Sequence, residues 1–104
     1  MLFRSVANKM ADMYLRLEAA RLLIYQAAWL GQQGKPALAE AAAAQLFTSE
    51  AWVASSLDAI QIHGAYGYTK EGGIERDLRD AVASTIYSGT SEIQRVILAR
   101  MLGL

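Results

Sequence analysis

The chain has 104 residues, of which 54% are apolar and 19% charged, and its ten Lys and Arg side chains balance ten Asp and Glu side chains. This composition excludes a disordered chain and predicts a single domain over residues 1–104. Because the net charge is zero and no run is rich in Lys or Arg, nucleic acid and membrane surfaces are excluded as partners.

A long helix is predicted at the start of the chain. Apolar or small residues recur there in alternating steps of four and three, which places them in one stripe along a helix. The stripe consists of Val6, Met10, Met13, Leu17, Ala20, Ile24 and Ala27. The helix is expected to stop at Gly31-Gln32-Gln33-Gly34-Lys35-Pro36, where Gly31 suits the position after a helix end and Pro36 suits the first turn of the next helix.

A second long helix is predicted from about Ala37 to Ile62, antiparallel to the first. Its seam repeats the same spacing and is apolar except for one carboxylate. The seam consists of Ala39, Ala43, Leu46, Glu50, Val53, Leu57 and Ile60. Since Leu17 and Leu57 lie in the two seams, an Asp at either position is expected to unfold the hairpin.

Two shorter helices are predicted in the second half. A glycine-rich turn from Gly64 to Gly73 precedes a helix from about Ile74 to Ala83, and a break at 87–91 precedes a last helix from about Glu92 to Met101. Ser91 is the expected N-cap of that helix, with Gln94 completing a capping box. The expected inward residues are Ile74, Leu78, Ala81 and Val82 in the third helix and Ile93, Val96, Ile97 and Met101 in the last. No segment has a strand pattern, so the predicted fold is all-α, an antiparallel up-and-down four-helix bundle with two long and two shorter helices.

The long helices make the predicted molecule elongated. Each has roughly 26 residues and a length of about 40 Å, whereas a compact chain of this size has a radius of gyration of about 13 Å. Such a hairpin cannot cover its own flanks, and the apolar candidates for exposure are Leu22, Trp29, Phe47 and Trp52. We therefore expect a homo-oligomer that buries apolar helix faces.

The sequence contains few candidates for catalytic or metal-binding residues. The absence of Cys and the single His, His63, exclude disulfides, thiolate zinc sites, Cys nucleophiles and multi-His metal sites, so no metal is expected. Asp58 and His63 point in different directions on one helix, and no sharp turn around a serine supports a Ser-His-Asp triad. His63 is interpreted as a turn residue with one nitrogen hydrogen-bonded. Glu50 is either an active carboxylate or, as the pattern favours, the structural partner of an Arg or Lys.

Two turns are candidates for binding an anion. One is the stretch Gln61–Tyr68 at a helix end, and the other is the Gly-Thr-Ser sequence that opens the last helix. Backbone N–H groups at a helix start are unpaired and lie at the positive end of the helix dipole, so they can bind phosphate or carboxylate. Ordinary capping is the alternative, which the pattern alone favours.

Three motifs in order resemble the C-terminal signature of acyl-CoA dehydrogenases. They are Gln61-Ile62-His63-Gly64-Ala65-Tyr66-Gly67-Tyr68, then Glu75-Arg76-Asp77-Leu78-Arg79-Asp80-Ala81, then Ile86-Tyr87-Ser88-Gly89-Thr90-Ser91-Glu92-Ile93-Gln94-Arg95. The segment from Ser5 to Arg21 resembles the helix that opens most of that C-terminal helical domain. The resemblance therefore covers nearly the whole chain, but it extends to one domain of the family and not to its N-terminal helical domain or its central β-domain.

The resemblance implies a role in binding FAD. Gln61, Gly64 and Ala65 fall on the family's Gln-x-x-Gly-Gly turn, which approaches the FAD of a neighbouring subunit. Ala65 replaces the second glycine, and its methyl group is expected to crowd a backbone–phosphate approach. Thr90 and Glu92 fall on the family's flavin contacts at the start of the last helix.

Tyr87 and Gly89 fall where the family borders the acyl-CoA thioester, and between them Ser88 departs from the pattern of many members. Those members have a catalytic Glu at this position, which removes the α-proton while hydride leaves the β-carbon for the flavin. A Ser hydroxyl cannot serve as this base near neutral pH without help. In one branch of the family the base comes from an earlier helix, so the resemblance implies no catalytic residue within these residues.

The resemblance thus implies the C-terminal domain of an FAD-dependent acyl-CoA dehydrogenase-like oxidoreductase of fatty acid metabolism. Such a domain contributes to a dimer or tetramer and to the FAD and substrate site, and electrons pass to an electron-transfer flavoprotein. The isolated chain is expected to be inactive. The alternatives are a non-catalytic helical assembly module or remnant, or a flavin-dependent relative with different chemistry. No secretory signal or membrane-spanning segment is found, so a cytoplasmic location is expected.

Overall fold

The structure, a computed structural model, describes residues 2–104, and all of its regular elements are helices. They are α1 (Leu2–Gln32), α2 (Leu38–His63), α3 (Ala65–Tyr68), α4 (Ile74–Ser84) and α5 (Ser91–Met101). The predicted all-helical fold with two long and two shorter helices is confirmed. The molecule measures 46 × 27 × 25 Å with a radius of gyration of 16.1 Å, so it is elongated as expected. None of the helices in the described range is long and apolar enough to cross a membrane.

The end of α1 differs from the prediction. The helix continues through Gly31, and Gly34 takes the left-handed conformation that ends it, with φ +70°. The Gly34 N–H donates to the Gly31 carbonyl at 3.1 Å and the Lys35 N–H donates to the Leu30 carbonyl at 3.0 Å. These two bonds form a Schellman motif, which satisfies carbonyls at the helix end that have no partner within the helix. Of the two glycines in this segment, Gly31 and Gly34, it is Gly34 that adopts positive φ and ends the helix with both bonds.

The face of α1 that packs on α2 is rotated from the predicted stripe. The less exposed residues recur as Val6, Lys9, Met13, Arg16, Ala20, Leu23, Ala27 and Leu30. Lys9 and Arg16 replace the predicted Met10 and Leu17, because both cations pair with Asp58 of α2. The Arg16 Nη1–Asp58 Oδ2 distance is 2.8 Å and the Lys9 Nζ–Asp58 Oδ1 distance is 3.9 Å.

Consequently, Leu17 and Leu57 do not form a buried seam. Leu17 is 55% exposed and Leu57 is 52% exposed. The expectation that an Asp at either position unfolds the hairpin is therefore wrong, since a carboxylate there remains in water. Small side chains such as Ala20 and Ala44 fill the contact between α1 and α2 instead.

Helix α2 is the common neighbour of the other helices. It contacts α1, α3, α4 and α5, whereas within residues 2–104 α1 contacts α2 alone and α4 does not contact α5. Gln45 Nε2 donates to the Ser84 carbonyl of α4 at 3.2 Å, and Glu50 binds Arg95 of α5. The position of α2 therefore decides where the turn between α4 and α5 lies.

Two predicted apolar faces in the second half are only partly buried. In α4, Ala81 is fully buried as expected but Val82 is exposed. In α5, Ile93, Val96 and Met101 are exposed, because this helix packs on α2 through the side of Ser91 and Gln94. These exposed residues join Leu22, Trp29, Phe47 and Trp52, whose predicted exposure is confirmed. The fold leaves apolar surface on most of its helices.

The short helix α3 was not predicted, since four glycines made its region look like a plain turn. Gly67 explains it: this buried residue lies against α2, where a Cβ would come within 2.7 Å of the Ile60 carbonyl oxygen. The Gly67 N–H also donates to the Gly64 carbonyl at 2.9 Å. Glycine at this position permits the backbone to pack on the end of α2, and a single helical turn results.

Candidate functional site

The first group of predicted site residues lies at the C-terminal end of α2. Gln61, Gly64 and Ala65 are all exposed. Gly64 has φ +62° and ψ −144°, a conformation that residues with a Cβ rarely adopt, and nothing lies within 4 Å of the position a Cβ would take. The glycine is thus required by the backbone, and the space beside it is open. Ala65, the next residue along the chain, is the first residue of α3.

His63 and Asp58, near this end of α2, do not form an acid–base pair, because each is bonded to a different partner. His63 Nδ1 lies 2.9 Å from the Ala59 carbonyl, and since a carbonyl only accepts, Nδ1 carries the proton. Asp58 is occupied by Arg16, which also reaches Ser55 Oγ at 3.5 Å. The expected hydrogen bond of one His63 nitrogen is confirmed, but His63 is the last residue of α2 and not a turn residue.

The second group lies on the turn between α4 and α5, residues 85–90. The Tyr87 N–H donates to the Ala83 carbonyl at 3.1 Å, which extends the end of α4. Ser88 then has φ +57° and Gly89 φ +97°. Ser88 is the one residue with a side chain that has positive φ in the described range, and this conformation carries a steric cost for residues with a Cβ. The Ser91 N–H closes the turn by donating to the Thr85 carbonyl at 2.9 Å.

The N-cap of α5 is Thr90 and not the predicted Ser91. Thr90 Oγ1 accepts from the Ile93 N–H at 3.2 Å. Ser91 is the first residue of the helix, because the Ser88–Gly89 turn brings the chain into the helix one residue earlier than the pattern indicated. The predicted capping box is therefore wrong, and Gln94 uses its side chain differently: its Nε2 donates to the Ser88 carbonyl at 3.3 Å.

A shallow pocket of about 420 Å³ lies beside this turn. It is lined by Glu50, Val53, Val82, Thr85, Ser91 and Glu92. The Ser91 side chain is 7% exposed, and its Oγ is buried without a hydrogen-bond partner. A buried hydroxyl without a partner is costly unless something binds it. The pocket thus joins the predicted flavin contact Glu92 to a polar atom that can still form a hydrogen bond.

Glu50 lies at the edge of the pocket and is paired. Arg95 Nη2 donates to Glu50 Oε1 at 2.8 Å, and both side chains are well exposed. The hydrogen bond that Arg95 donates to Glu50, and after it the negative charge of Glu50, raise the pKa of Arg95 above its ordinary value. The structural interpretation of Glu50 as the partner of a basic residue is therefore confirmed. The pair connects α2 to α5 across the rim of the pocket.

The structure does not bring the two predicted groups together. The pocket meets α2 at Glu50 and Val53, whereas Gln61 lies about 12 Å beyond Val53 along the helix axis. One group is at the end of α2 and the other is at the start of α5. Two separate surfaces, and not one pocket, carry the predicted contacts.

Sequence patterns missed two residues near the second group. Gln94 was assigned to a cap, although it is 8% exposed and contacts the turn. Ser91 was assigned to the same cap, although its hydroxyl has no partner. The sequence alone gives no signal for these roles, because the burial of two polar residues at a helix start is visible only once the packing of α5 on α2 is known.

Comparisons with known proteins agree with the motifs. The family model described as the acyl-CoA dehydrogenase C-terminal domain matches residues 1–103. The human mitochondrial short-chain specific acyl-CoA dehydrogenase is 54% identical over 91 residues, which are 88% of this chain and 22% of that protein. Among solved structures, the prolyl acyl carrier protein oxidase AnaB is 56% identical with a TM-score of 0.94, over 97% of this chain and 27% of that one. PigA with FAD and proline is 46% identical with a TM-score of 0.93, over 97% and 26%. The chain thus spans about a quarter of the length of its relatives.

Proposed function

Because the chain belongs to the acyl-CoA dehydrogenase family, as a C-terminal domain, we propose that it serves as that domain in an FAD-dependent oxidoreductase. The enzyme would remove hydrogen from the α and β carbons of an acyl-CoA thioester. Residues 1–104 would act as one domain that supports oligomerisation and part of the FAD and substrate site. The observation that carries this proposal is the match of the family model over residues 1–103, with the predicted contacts on two exposed helix-end surfaces.

The residues present fit a bound FAD. Gly64 leaves open space at the end of α2, and Gln61 has an exposed side-chain amide beside it. At the other surface, Glu92 lines a pocket whose Ser91 Oγ has no partner. Gln61, Gly64 and Ala65 would hold one FAD, and Thr90 and Glu92 would hold another. The separation of the two surfaces supports a role in two sites, as expected when neighbouring subunits share them.

The turn residues would hold the substrate and leave proton removal to another group. Bound FAD supplies the acceptor for the hydride that leaves the β-carbon. Tyr87 and Gly89 would border the thioester, and the positive φ of Gly89 is a backbone conformation that glycine adopts readily. The Ser88 hydroxyl is too weakly basic to take the α-proton near neutral pH. We propose that a base from another part of the full-length enzyme takes this proton.

The partners proposed for the full-length enzyme are a second copy and an electron-transfer flavoprotein. The exposed apolar residues of α1 and α2 support the first, and the resemblance to the family supports the second. A role in fatty acid metabolism follows from the proposed substrate. The absence of Cys supports a reducing compartment such as the cytoplasm.

A chimera tests the proposal. This chain would replace the C-terminal domain of the human short-chain enzyme, and acyl-CoA-dependent dye reduction would be measured. We expect a flavin-containing oligomer, which reduces the dye where the host domains supply the base, whereas the 104-residue chain alone should give no reduction. A folded chimera that binds no flavin would contradict the proposal and favour a non-catalytic assembly module.

The location of the base is tested in the full-length enzyme that contains this chain. If another of its domains supplies the base, Ser88→Glu should not raise the rate of dehydrogenation. Ser88→Ala is the matched control, because it removes the hydroxyl without adding a carboxylate. A clear gain in rate with Ser88→Glu alone would instead identify position 88 as the place from which the base has been lost.

A second candidate substrate is a prolyl group on a carrier protein. The 56% identity to AnaB, named as a prolyl acyl carrier protein oxidase, favours this candidate. The discriminating experiment places the chain in both hosts, the human enzyme and AnaB, and compares the kcat/KM retained with each host's own substrate. Better retention in the human host supports the acyl-CoA thioester, and better retention in AnaB supports the carrier-bound prolyl group.

A further inference from the structure

Gln94 is a buried polar side chain that reaches the turn between α4 and α5. It is 8% exposed, although it lies on a short helix with exposed neighbours on both sides. Its Nε2 donates to the Ser88 carbonyl at 3.3 Å, and its backbone N–H donates to the Thr90 carbonyl at 2.9 Å. Gln94 is thus hydrogen-bonded to the carbonyls of the residues directly before and directly after Gly89.

The turn needs such support. Ser88 has φ +57°, a conformation that a residue with a Cβ avoids unless surrounding contacts impose it. The Ser88 side chain is exposed and has no hydrogen bond in the structure described. The hydrogen bond from Gln94 Nε2 to the Ser88 carbonyl is therefore a side-chain contact that holds this peptide group, beside the Ser91–Thr85 backbone bond that closes the turn.

Gly89 is shaped to admit the Gln94 amide. A Cβ at Gly89 would lie 2.7 Å from Gln94 Nε2, closer than real contacts of this kind. Gly89 therefore does two things, since it adopts φ +97° and leaves the volume that the amide occupies. A side chain at Gly89 would therefore displace the Gln94 amide from the position in which it reaches the Ser88 carbonyl.

We propose that Gln94 is a positioning residue, whose side-chain amide holds the Ser88 carbonyl and so fixes the turn that presents Tyr87, Gly89 and Thr90 to the bound ligands. The identity of those ligands rests on the proposed function. The order of the turn is a property of the chain itself and can be measured without them.

The test measures how well the turn is closed in the 104-residue chain. The Ser91 N–H, which donates to the Thr85 carbonyl, is the probe, and its hydrogen exchange is followed by NMR. Gln94→Met keeps the length of the side chain but removes the donor. We expect exchange at Ser91 to be roughly tenfold faster, because the partly buried Ser88 carbonyl loses its hydrogen-bond partner. The amide of Ser49, inside α2, should be unchanged, and Gln26→Met on the exposed face of α1 is the matched control.

A second variant separates positioning from general stability. Gln94→Glu has nearly the same shape, and its carboxyl group can donate to the Ser88 carbonyl only when protonated. We expect wild-type-like protection of the Ser91 amide at low pH, after correction for intrinsic exchange, and loss of protection as the carboxyl ionises. Gln94→Met should show no such pH dependence.

Two outcomes would overturn the inference. One is unchanged exchange at Ser91 in Gln94→Met. The other is an equal increase at Ser91 and Ser49 with no pH-dependent recovery in Gln94→Glu, which would reduce Gln94 to a general stabilising residue. Failure of the chimera to bind flavin would contradict the proposed function and leave both of these measurements standing.

Discussion

Glycines in this chain have different roles that their local sequence does not reveal. Gly67 packs against the backbone of α2, whereas Gly31 lies within α1 with nothing within 4 Å of the place for a Cβ. Gly31 is also absent from the residues with positive φ. One glycine is therefore fixed by packing, and the other has no structural requirement.

The two glycines give a matched pair of stability predictions. Gly67→Ala should destabilise the chain by about 1–3 kcal/mol, because the Ile60 carbonyl cannot move away from the new methyl group without disturbing α2. Gly31→Ala should stabilise it by roughly 0.5–1 kcal/mol, since alanine loses less backbone entropy in a helix. Urea denaturation checks both. Equal effects of the two changes would contradict the packing role of Gly67.

Sequence reasoning located the site residues by motif but not their backbone states. It named Tyr87, Ser88 and Gly89 and placed a helix start directly after them, which is where α5 begins. It could not identify Thr90 as the cap, because Ser91 has the same capping chemistry and only the φ of Ser88 and Gly89 decides between them. Short-range patterns do not contain that information.

At the scale of elements, the contact between α1 and α2 shows why a hydrophobic stripe can be misread. The face of α2 that lines the grooves shared with α1 consists mainly of small or hydroxylated side chains, with Gln45 and Trp52 beside them. The small or hydroxylated ones are Ala41, Ala44, Thr48, Ala51 and Ser55. Such residues do not stand out from their neighbours in hydrophobicity. The bulkier stripe through Leu46 and Val53 was therefore chosen as the seam, and the charged residues Lys9 and Arg16 were passed over although Asp58 neutralises them.

Substitutions on the two sides of α2 distinguish these faces. Ala44→Asp should destabilise the hairpin by about 3 kcal/mol or more, because it places a carboxylate without a partner among buried residues next to α1. Leu57→Asp should leave the helical content unchanged, since Leu57 is half exposed. Circular dichroism and thermal unfolding measure both. Unfolding by Leu57→Asp alone would restore the seam predicted from the sequence.

At the scale of the molecule, the elongated shape and the exposed apolar residues were both predictable. The length of the helices and the content of apolar residues sufficed, because a two-helix hairpin cannot enclose so many large side chains. Most of the large hydrophobic side chains remain exposed, including Leu22 and Trp29 on α1. How α4 and α5 pack was not predictable, since their contacts with α2 use Ser91, Gln94 and the Glu50–Arg95 pair and not an apolar stripe.

The exposed surface leads to a prediction about assembly. The purified chain should form a dimer or tetramer in light scattering, and Leu22→Glu should shift it to a smaller species without loss of helical content. Gln26→Glu, on the same helix, is the matched control and should not change the size. A wild-type chain that stays monomeric at high concentration would contradict the proposal of a homo-oligomer. The absorption spectrum of the same sample reports whether flavin is bound.

The central position of α2 also affects how the chain unfolds, because α1 and α5 each contact no other helix in the described part of the chain. Within residues 2–104, α1 shares no contact with α4 or α5, so its detachment breaks its contacts with α2, including the ion pairs of Asp58, and leaves the contacts of α4 and α5 intact. Unfolding can therefore proceed in two units that have one helix in common, and opening of α1 need not disturb the turn held by Gln94. Both groups of proposed ligand contacts, at the end of α2 and on the turn between α4 and α5, therefore lie in the part of the chain that stays together when α1 opens.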